Sequence, residues 1–297
     1  MEALPQTLLF GLLRSGFYAL TALGLAISLG VIGIVNFAHG EFVMLGAYIG
    51  FWLYLALSGP LGLGPALSPL VILVGVPLSA GAFYVIGRGV FHFTLRPLLA
   101  RPELDQMLLT FGLSIFLVNA TSIAFSPQAQ DAQLPWRFEL LDVGIASVTY
   151  SRIASFAVSM GLVLATYLVL MRTRLGKQMR AVAQNRLGAH LIGIPVDRIY
   201  GIAFGLSAAL AAAAGVMLLF TTQVSPFLGL TTILKAFSIV VLAGLGNLSG
   251  VVWASLLLGL SEQAVSQYVP DGAALRDGLF FVVIFVILLV RPAGLRR

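Results

Sequence analysis

Cysteine is absent from this chain, and charged side chains are scarce. The lack of cysteine excludes a disulfide framework and a metal site built from thiolates. Asp, Glu, Lys and Arg make up 9% of the 297 residues, whereas a soluble domain carries about 25%. The hydrophobic fraction is 59% and the mean hydropathy is +1.02. Because so few charges cannot cover a surface in water, the composition predicts a protein whose main solvent is lipid.

Sequence motifs of several enzyme classes are missing as well. The chain contains no H-E-x-x-H, no G-x-S-x-G and no Walker-type G-x-x-x-x-G-K-[ST], so it has no P-loop of its own. His39 and Glu41 alone are too few for a metal site, which needs three or four convergent ligands. The net charge of +6 belongs to loops and not to a soluble basic domain, so nucleic acid is not an expected partner. We therefore expect a membrane protein that is not an enzyme and holds no cofactor.

Long apolar segments account for most of the chain. They cover residues 8–35, 41–57, 69–91, 106–125, 151–171, 199–220, 233–247, 249–268 and 275–290. Most have the length of a spanning helix and none alternates with period two, which argues against a β-barrel. Segment 233–247 is short and interrupted by glycine, so it either crosses the membrane or forms a re-entrant piece. The sequence predicts an all-α polytopic membrane protein with one transmembrane domain over 1–297 and about 8–9 helices, some short or broken.

The distribution of Lys and Arg predicts the orientation of the chain. Basic residues crowd the loop 172–198 and recur at 96–101 and 291–297, whereas the loop 126–150 is mainly acidic. Basic loops remain in the cytoplasm. We therefore expect the loop 172–198 inside, and the N-terminus and the loop 126–150 outside.

A polar stretch, NFAHGE, separates the first two apolar segments. It contains Asn36, His39, Gly40 and Glu41. One interpretation is a break between two helices, in which Gly40 permits the turn and the polar side chains satisfy freed backbone groups. The other interpretation places the stretch beside a translocation path, where intramembrane ionisable groups concentrate. The predicted orientation places Glu41 near the cytoplasmic edge of the membrane, which favours the first interpretation.

A second polar break, AGLGNLSG, contains Asn247, and Glu262 follows within the next apolar segment. Glu262 is the best single candidate for a buried functional carboxylate. A purely structural hydrogen bond between helices is an equally supported alternative for this side chain.

The basic loop has features that a solvated connector does not require. Residues 177–192 are predicted to form a helix that Gly193 caps, Pro195 cannot continue the helix, and Asp197 offers an N-cap for the next span. The apolar residues of this helix are Val182, Leu187, Leu191 and Ile192. Binding to anionic lipid headgroups would explain the charge of the loop. It would not explain the cap or the apolar positions, so we expect a docking surface.

Three stretches carry a resemblance to a known family: GIVNFAHGEFVMLGAY, GKQMRAVAQNRLGAHLIGI and LAGLGNLSGVVWASLLLGLSEQ. In this order, across nearly the whole chain, they resemble the signature regions of LivH-type permeases. These permeases are membrane subunits of bacterial branched-chain amino acid ABC importers. The resemblance implies that the basic loop is the coupling segment that docks on an ATPase, through Arg180, Ala181, Asn185, Gly188, Ala189, Leu191 and Gly193. The family often has an acid where Asn185 stands and Ala where Gly188 stands.

The resemblance also implies a set of partners in the bacterial cytoplasmic membrane. They are a second homologous permease subunit, two cytoplasmic ATPases that bind ATP and Mg²⁺, and a periplasmic substrate-binding protein. The expected cargo is a branched-chain or other small hydrophobic amino acid, although relatives of this architecture also carry urea, amides or aromatic carboxylates. The alternative function is a stand-alone channel or facilitator for a small neutral solute, with the two Asn-bearing breaks facing a pore.

Overall fold

The computed structural model describes residues 3–59, 66–144, 146–244 and 246–290, which are mostly helical. The helices are α1 (Ala3–Ile32), α2 (His39–Ser58), α3 (Leu67–Val90), α4 (Glu103–Phe125), α5 (Tyr150–Arg172), α6 (Arg174–Gln184), α7 (Arg186–Leu191), α8 (Val196–Leu219), α9 (Leu228–Ala243), α10 (Leu248–Tyr268), α11 (Gly272–Leu275) and α12 (Leu279–Val290). A π turn over Phe91–Leu95 and a 3₁₀ turn over Arg96–Leu98 extend α3. Other 3₁₀ turns cover Pro135–Arg137 and Arg276–Gly278.

Seven helices of the described residues are long and apolar enough to cross a membrane, namely α1, α2, α3, α4, α5, α8 and α10. Helices α9 and α12 have 16 and 12 residues, which is shorter than the usual span of about 20 residues. The structure therefore confirms an all-α membrane protein with some short helices. It does not confirm the predicted count of 8–9 spanning helices.

Helix α8 forms the centre of the bundle because its middle is built from small residues. Its stretch SAALAAAAG, from Ser207 to Gly215, is buried and packs against α1, α2 and α3. The backbones approach closely where glycine is present: a Cβ on Gly46 of α2 would overlap the backbone of Ala212. Such close approach supplies the packing energy that holds helices together in lipid.

The two ends of the bundle differ. At one end, which we name the hairpin end, β1 (Leu140–Asp142) pairs antiparallel with β2 (Ser147–Thr149), and Gln130 bridges to Val224 in the α8–α9 loop. At the opposite end, which we name the basic end, lie α6 and α7. The basic residues at 291–297, which the sequence predicts to be cytoplasmic, lie outside the described residues.

Candidate functional site

The polar stretch between α1 and α2 lies deep within the bundle. The Ser114 hydroxyl donates a hydrogen bond to Glu41 over 3.0 Å, and Ser114 is the central residue of α4. Ser207, which contacts the His39 ring, lies midway along α8. Residues 33–38 therefore return from the end of α1 into the bundle, and α2 begins near its middle. The expectation that Glu41 lies at the cytoplasmic edge is wrong, because the re-entrant connection places it beside the middle of α4. The sequence alone did not reveal this connection.

His39 joins three helices at this depth. Its Nε2 lies 3.0 Å from the carbonyl oxygen of Thr21 on α1, and its Nδ1 lies 3.3 Å from the hydroxyl of Ser207 on α8. With the proton on Nε2, the ring donates to Thr21 and accepts from Ser207, which satisfies both nitrogens. The side chain is fully buried. His39 is thus positioned to fix α2 against α1 and α8.

The neighbours of His39 also make close structural contacts. A Cβ on Gly40 would overlap the backbone of Gly229, so glycine permits α2 to approach α9. Asn36 accepts a hydrogen bond from the backbone N–H of Ala38 over 3.1 Å. These contacts favour the first interpretation of NFAHGE, a break whose polar residues brace a helix junction. The role of Asn36, His39 and Gly40 in transport stays a prediction.

Glu41 is enclosed but weakly paired. Ser114 donates to Oε1, whereas Oε2 is buried and has no hydrogen-bond partner among the described residues. The carboxylate lies against Gly229 in the first turn of α9, where a Cβ would overlap it. Glu41 is not among the residues that line the cavity described below.

Glu262 on α10 is the centre of a second buried polar cluster. Its side chain is fully buried, Tyr18 donates a hydrogen bond to Oε2, and the Lys235 Nζ lies 2.9 Å from Oε1. The Arg14 Nε lies 3.4 Å from Oε2 and 2.8 Å from the Tyr18 hydroxyl oxygen. The predicted burial of Glu262 is confirmed. Sequence reasoning missed Arg14 and Lys235, although a lone cation within an apolar segment was a usable signal for both.

A cavity of about 510 Å³ opens beside the Glu262 cluster, between α1, α5, α8, α9 and α10. Its lining includes the first residues of α5 and the last of α8, so it lies in the half of the bundle near the hairpin end. The cationic residues that line it are Arg14, Arg152, Lys235 and Arg276. No acidic side chain is present among the described lining residues. The volume is within the range of about 300–1,000 Å³ that is usual for small-molecule sites.

The basic loop forms two helices where one was predicted. Thr173 caps α6 by accepting from the Gly176 N–H over 3.1 Å, and the helix ends at Gln184, directly before Asn185. Asn185 has an extended backbone, and its side chain accepts from the Gly188 N–H over 2.8 Å, which starts α7. The prediction of one continuous helix over 177–192 is therefore wrong, because Asn185 acts as a cap within it. Gly193 has a φ of +82°, as its predicted capping role requires.

The helix after this loop begins differently from the prediction. Pro195 occupies the N-cap position of α8, and no side chain caps that end. Asp197 lies in the first turn and forms an ion pair with Arg96 over 3.1 Å. The predicted N-cap role of Asp197 is therefore wrong.

The predicted docking residues have different environments. Arg180 donates to the Leu170 carbonyl, and Ala189 is buried, so both face the bundle. Asn185, Leu191 and Gly193 are exposed, and Ala181 and Gly188 are partly so. Three apolar side chains at or beside α7 are exposed at 69%, 77% and 75%, namely Leu187, Leu191 and Ile192. We call these three residues the α7 patch. Val182, predicted among the apolar residues of this helix, is buried on α6.

Asn247 lies outside both polar clusters. Its side chain accepts from the Gly250 N–H over 3.0 Å and caps α10, and the residue is exposed. Among the described residues, no group of three His, Asp or Glu side chains is placed to hold a metal ion.

Apolar spanning helices, buried ion pairs and a ligand-sized polar cavity define a multi-pass membrane protein of the transporter class. The sequence model of the family described as "Branched-chain amino acid transport system / permease component" matches residues 7–288. The chain belongs to this family.

Curated relatives agree with this assignment. The chain is 31% identical over 300 residues to the high-affinity branched-chain amino acid transport system permease protein LivH of Salmonella typhimurium, covering 98% of this chain and 94% of the relative. It is 32% identical over 295 residues to the corresponding protein BraD of Pseudomonas aeruginosa, with the same coverage. It is 26% identical to the permease protein LivM of Salmonella typhimurium, over 94% of this chain and 67% of the relative.

Proposed function

We propose that this chain is a non-catalytic permease subunit of an ATP-driven importer in the bacterial cytoplasmic membrane. Its residues 1–297 form one transmembrane domain, and its cargo is a branched-chain or other small hydrophobic amino acid. The names of its relatives support the cargo class and the permease role. The observation that carries the proposal of ATP coupling is the exposed α7 patch.

The α7 patch is apolar and lies in the most basic loop of the chain. A helix cap precedes it at Asn185 and a left-handed glycine follows it at Gly193. If the basic end is cytoplasmic, these side chains face water unless a partner covers them. Exposed apolar clusters with a polar surround are typical of interaction sites. An ATPase groove that accepts this patch is the partner that the family membership favours.

Helix α6 connects the patch to the membrane helices. Met179 and Val182 are buried, and Arg180 donates to the carbonyl of Leu170 on α5. Helix α6 packs against α1, α5 and α8. A movement imposed on α7 would therefore reach three spanning helices through packed contacts. This arrangement suits a segment that transmits nucleotide-driven closure of an ATPase, because a partner shifts a conformational equilibrium only through contacts that differ between the two states.

The remaining proposed partners are argued from the missing P-loop and from the relatives of this chain. Two ATPase subunits bind ATP and Mg²⁺, since this chain contains no P-loop. The similarity to LivM as well as to LivH favours a second, homologous permease subunit. A periplasmic binding protein delivers cargo at the hairpin end, which the charge distribution predicts to lie outside.

The experiment expresses the chain with the products of its neighbouring genes and isolates the complex through a tag on the permease. We expect ATPase subunits to co-purify, with hydrolysis that loaded binding protein stimulates. Leu191→Asp would place a carboxylate in the apolar contact, at a cost of several kcal/mol if it stays charged and unpaired. It should abolish co-purification. Phe138→Asp, the same change at an exposed residue of the hairpin end, is the matched control and should leave ATPase binding intact.

A stand-alone facilitator is the second candidate, and one observation favours it: the cavity lies between helices of a single chain. A facilitator would move its solute without ATP and without other subunits. Uptake by the chain alone in ATP-free proteoliposomes, together with unchanged ATPase binding by Leu191→Asp, would support that candidate and contradict the importer assignment.

A further inference from the structure

We propose that a groove between α3 and α8 at the basic end binds an anionic phospholipid, with Arg88 and Arg198 as the partners of its phosphate. The groove has a volume of about 620 Å³ and lies between the last turns of α3, the π turn that follows them and the first turns of α8. It shares no described lining residue with the cavity beside Glu262. The inference concerns the contact of the chain with the bilayer, so it does not depend on the proposed importer function.

Charge is the first argument for this site. The groove is lined by three arginine side chains, namely Arg88, Arg96 and Arg198. Asp197 is the one acidic residue among its described lining, and its carboxylate lies 3.1 Å from the Arg96 guanidinium. Arg88 lies over the Tyr84 ring, and neither Arg88 nor Arg198 has an ion pair among the described residues. Two guanidinium groups therefore remain for an anion, and a guanidinium binds phosphate oxygens through paired N–H donors.

The depth of Arg88 is the second argument. Arg88 precedes Arg96 by two turns, which places its backbone about 12 Å further from the basic end. It is exposed on a helix whose apolar stretch, Leu67–Leu98, is long enough to span a membrane. A charge within a membrane span is costly, so such residues have a partner or mark a functional site. A lipid phosphate drawn into the groove would supply that partner.

Two glycines of α8 make room for the groove. A Cβ on Gly205 would lie 2.7 Å from Cγ of Arg88, so glycine permits the stem of the arginine to pack against α8. Gly201, one turn earlier, lines the groove and leaves that face of α8 without a side chain. The stem of Arg88 is thus held between two helices, in contrast to a basic side chain in a solvated loop.

The apolar lining distinguishes a phospholipid from other anions. Val85 and Phe93 line the same groove and are exposed at 69% and 79% on a spanning helix, so they meet acyl chains. A free phosphate would contact the arginines alone. A cytoplasmic ATPase would not reach Val85, which lies about three turns before Arg96. Basic pockets between membrane helices on the cytoplasmic side bind anionic headgroups, and this groove adds the apolar surface that the lipid chains require.

The groove lies directly beside the basic loop. Pro195 and Arg198, at the start of α8, belong to its lining, and the α7 patch ends three residues before Pro195. A lipid in the groove would therefore join the end of α3 to the start of α8. Its occupancy is suited to restrain the loop that carries the α7 patch.

Native mass spectrometry of the full-length chain in a neutral detergent tests the assignment. Phosphatidylglycerol or phosphatidylcholine with the same acyl chains is titrated, and the affinity of the first bound lipid is measured. We expect phosphatidylglycerol to bind about tenfold more tightly or better. Arg88→Gln and Arg198→Gln should each lower that affinity about fivefold and leave phosphatidylcholine unaffected. The matched control is Arg172→Gln, at an exposed arginine that ends α5 outside the groove, and it should change either affinity little.

A variant that keeps every arginine separates the groove from general surface charge. Gly201→Leu fills the groove from α8 and should lower the phosphatidylglycerol affinity several-fold. Losses from Arg172→Gln as large as those from the two groove arginines would overturn the proposal, because they would indicate an ordinary basic surface. Displacement of the lipid by millimolar inorganic phosphate would assign the groove to a soluble anion and would overturn the lipid assignment as well.

The remaining outcomes also decide the matter. If Arg88→Gln does not fold, Arg198→Gln at the exposed start of α8 and Gly201→Leu still test the site. Unchanged lipid affinity in Arg198→Gln, together with loss of ATPase co-purification, would identify a protein-docking surface and contradict the lipid assignment. Lipid binding needs no ATPase, so a failure of the importer assignment would leave these affinities unaltered.

Discussion

Glu41 and Glu262 are both enclosed in the helix bundle, but different groups surround their carboxyl groups. Glu262 contacts two cations and the Tyr18 hydroxyl. Glu41 has the Ser114 hydroxyl on one oxygen, and its other oxygen has no hydrogen-bond partner among the described residues. Glu41 lies in the first turn of α2 and against the first turn of α9. The N-terminal ends of α2 and α9 therefore lie next to Glu41, whereas ion pairs surround Glu262.

The difference indicates two mechanical roles. Side-chain ion pairs join α1, α9 and α10 through strong contacts and fix one wall of the cavity. Glu41 lies against α9 only while α2 and α9 keep their present approach, so its contacts are sensitive to relative movement of these helices. We interpret the Glu262 cluster as a fixed wall of the cavity. We interpret the contact between α2 and α9 at Glu41 as the region that moves. Three substitutions test this comparison, from the largest expected effect to the smallest.

Removal of the Lys235 charge should have the largest effect. Lys235→Met leaves the fully buried Glu262 with less positive charge, and breaking a buried ion pair by removing one partner costs about 3–5 kcal/mol. The free energy of unfolding in mixed micelles should fall by that amount. Lys177→Met, at an exposed residue of α6, is the control and should change it little.

A compensating change separates lost pairing from lost packing. The double variant Lys235→Met, Glu262→Gln removes both charges and should recover much of the lost stability, because no carboxylate is left without its lysine. A double variant no more stable than Lys235→Met would show that Glu262 is not stabilised chiefly by this pair.

A methyl group at Gly229 should have an intermediate effect. Its Cβ would overlap the Glu41 carboxylate, so Gly229→Ala has to displace that side chain or separate α2 from α9. Overpacking of this kind costs about 1–3 kcal/mol. Gly112→Ala on α4, where a Cβ meets open space, is the control. Glu41→Ala should rescue Gly229→Ala, and a failure of this rescue would argue against direct contact between the two residues.

Loss of the Ser114 hydroxyl should have the smallest effect. Ser114→Ala removes the hydrogen bond to Glu41, and an ordinary hydrogen bond contributes about 0.5–1.5 kcal/mol. The control is Ser122→Ala on the same helix, whose hydroxyl donates to the Val118 carbonyl of α4. Thermal unfolding of the two variants in detergent measures the difference. A loss at Ser114 as large as that of Lys235→Met would contradict the contrast between the two carboxylates.

Local sequence signals predicted local structure well. The apolar runs predicted the long spans because a membrane requires about 20 apolar residues in succession. Gly193 and the following proline predicted a left-handed helix cap, and the backbone of Gly193 has that conformation. The break at Asn185 was missed because the surrounding residues favour helix and the capping side chain was not recognised as a cap.

Features that depend on distant contacts were not predicted. The depth of Glu41 depends on the return of residues 33–38 into the bundle, which no local pattern indicates. The grouping of Arg14, Tyr18 and Lys235 around Glu262 depends on which faces of α1, α9 and α10 meet. One sequence does not contain that information, although each lone cation indicated a buried partner.

The central claim is that an ATPase acting at the α7 patch changes the cavity beside Glu262. Thr231 lines this cavity. The most direct measurement is the rate at which an anionic methanethiosulfonate labels Thr231→Cys in the complete complex in nanodiscs, with and without ATP, Mg²⁺ and vanadate. We predict a several-fold change in rate when nucleotide is trapped, and no change in a complex that carries Leu191→Asp. A rate that nucleotide leaves unaltered in the assembled wild-type complex would contradict the claim.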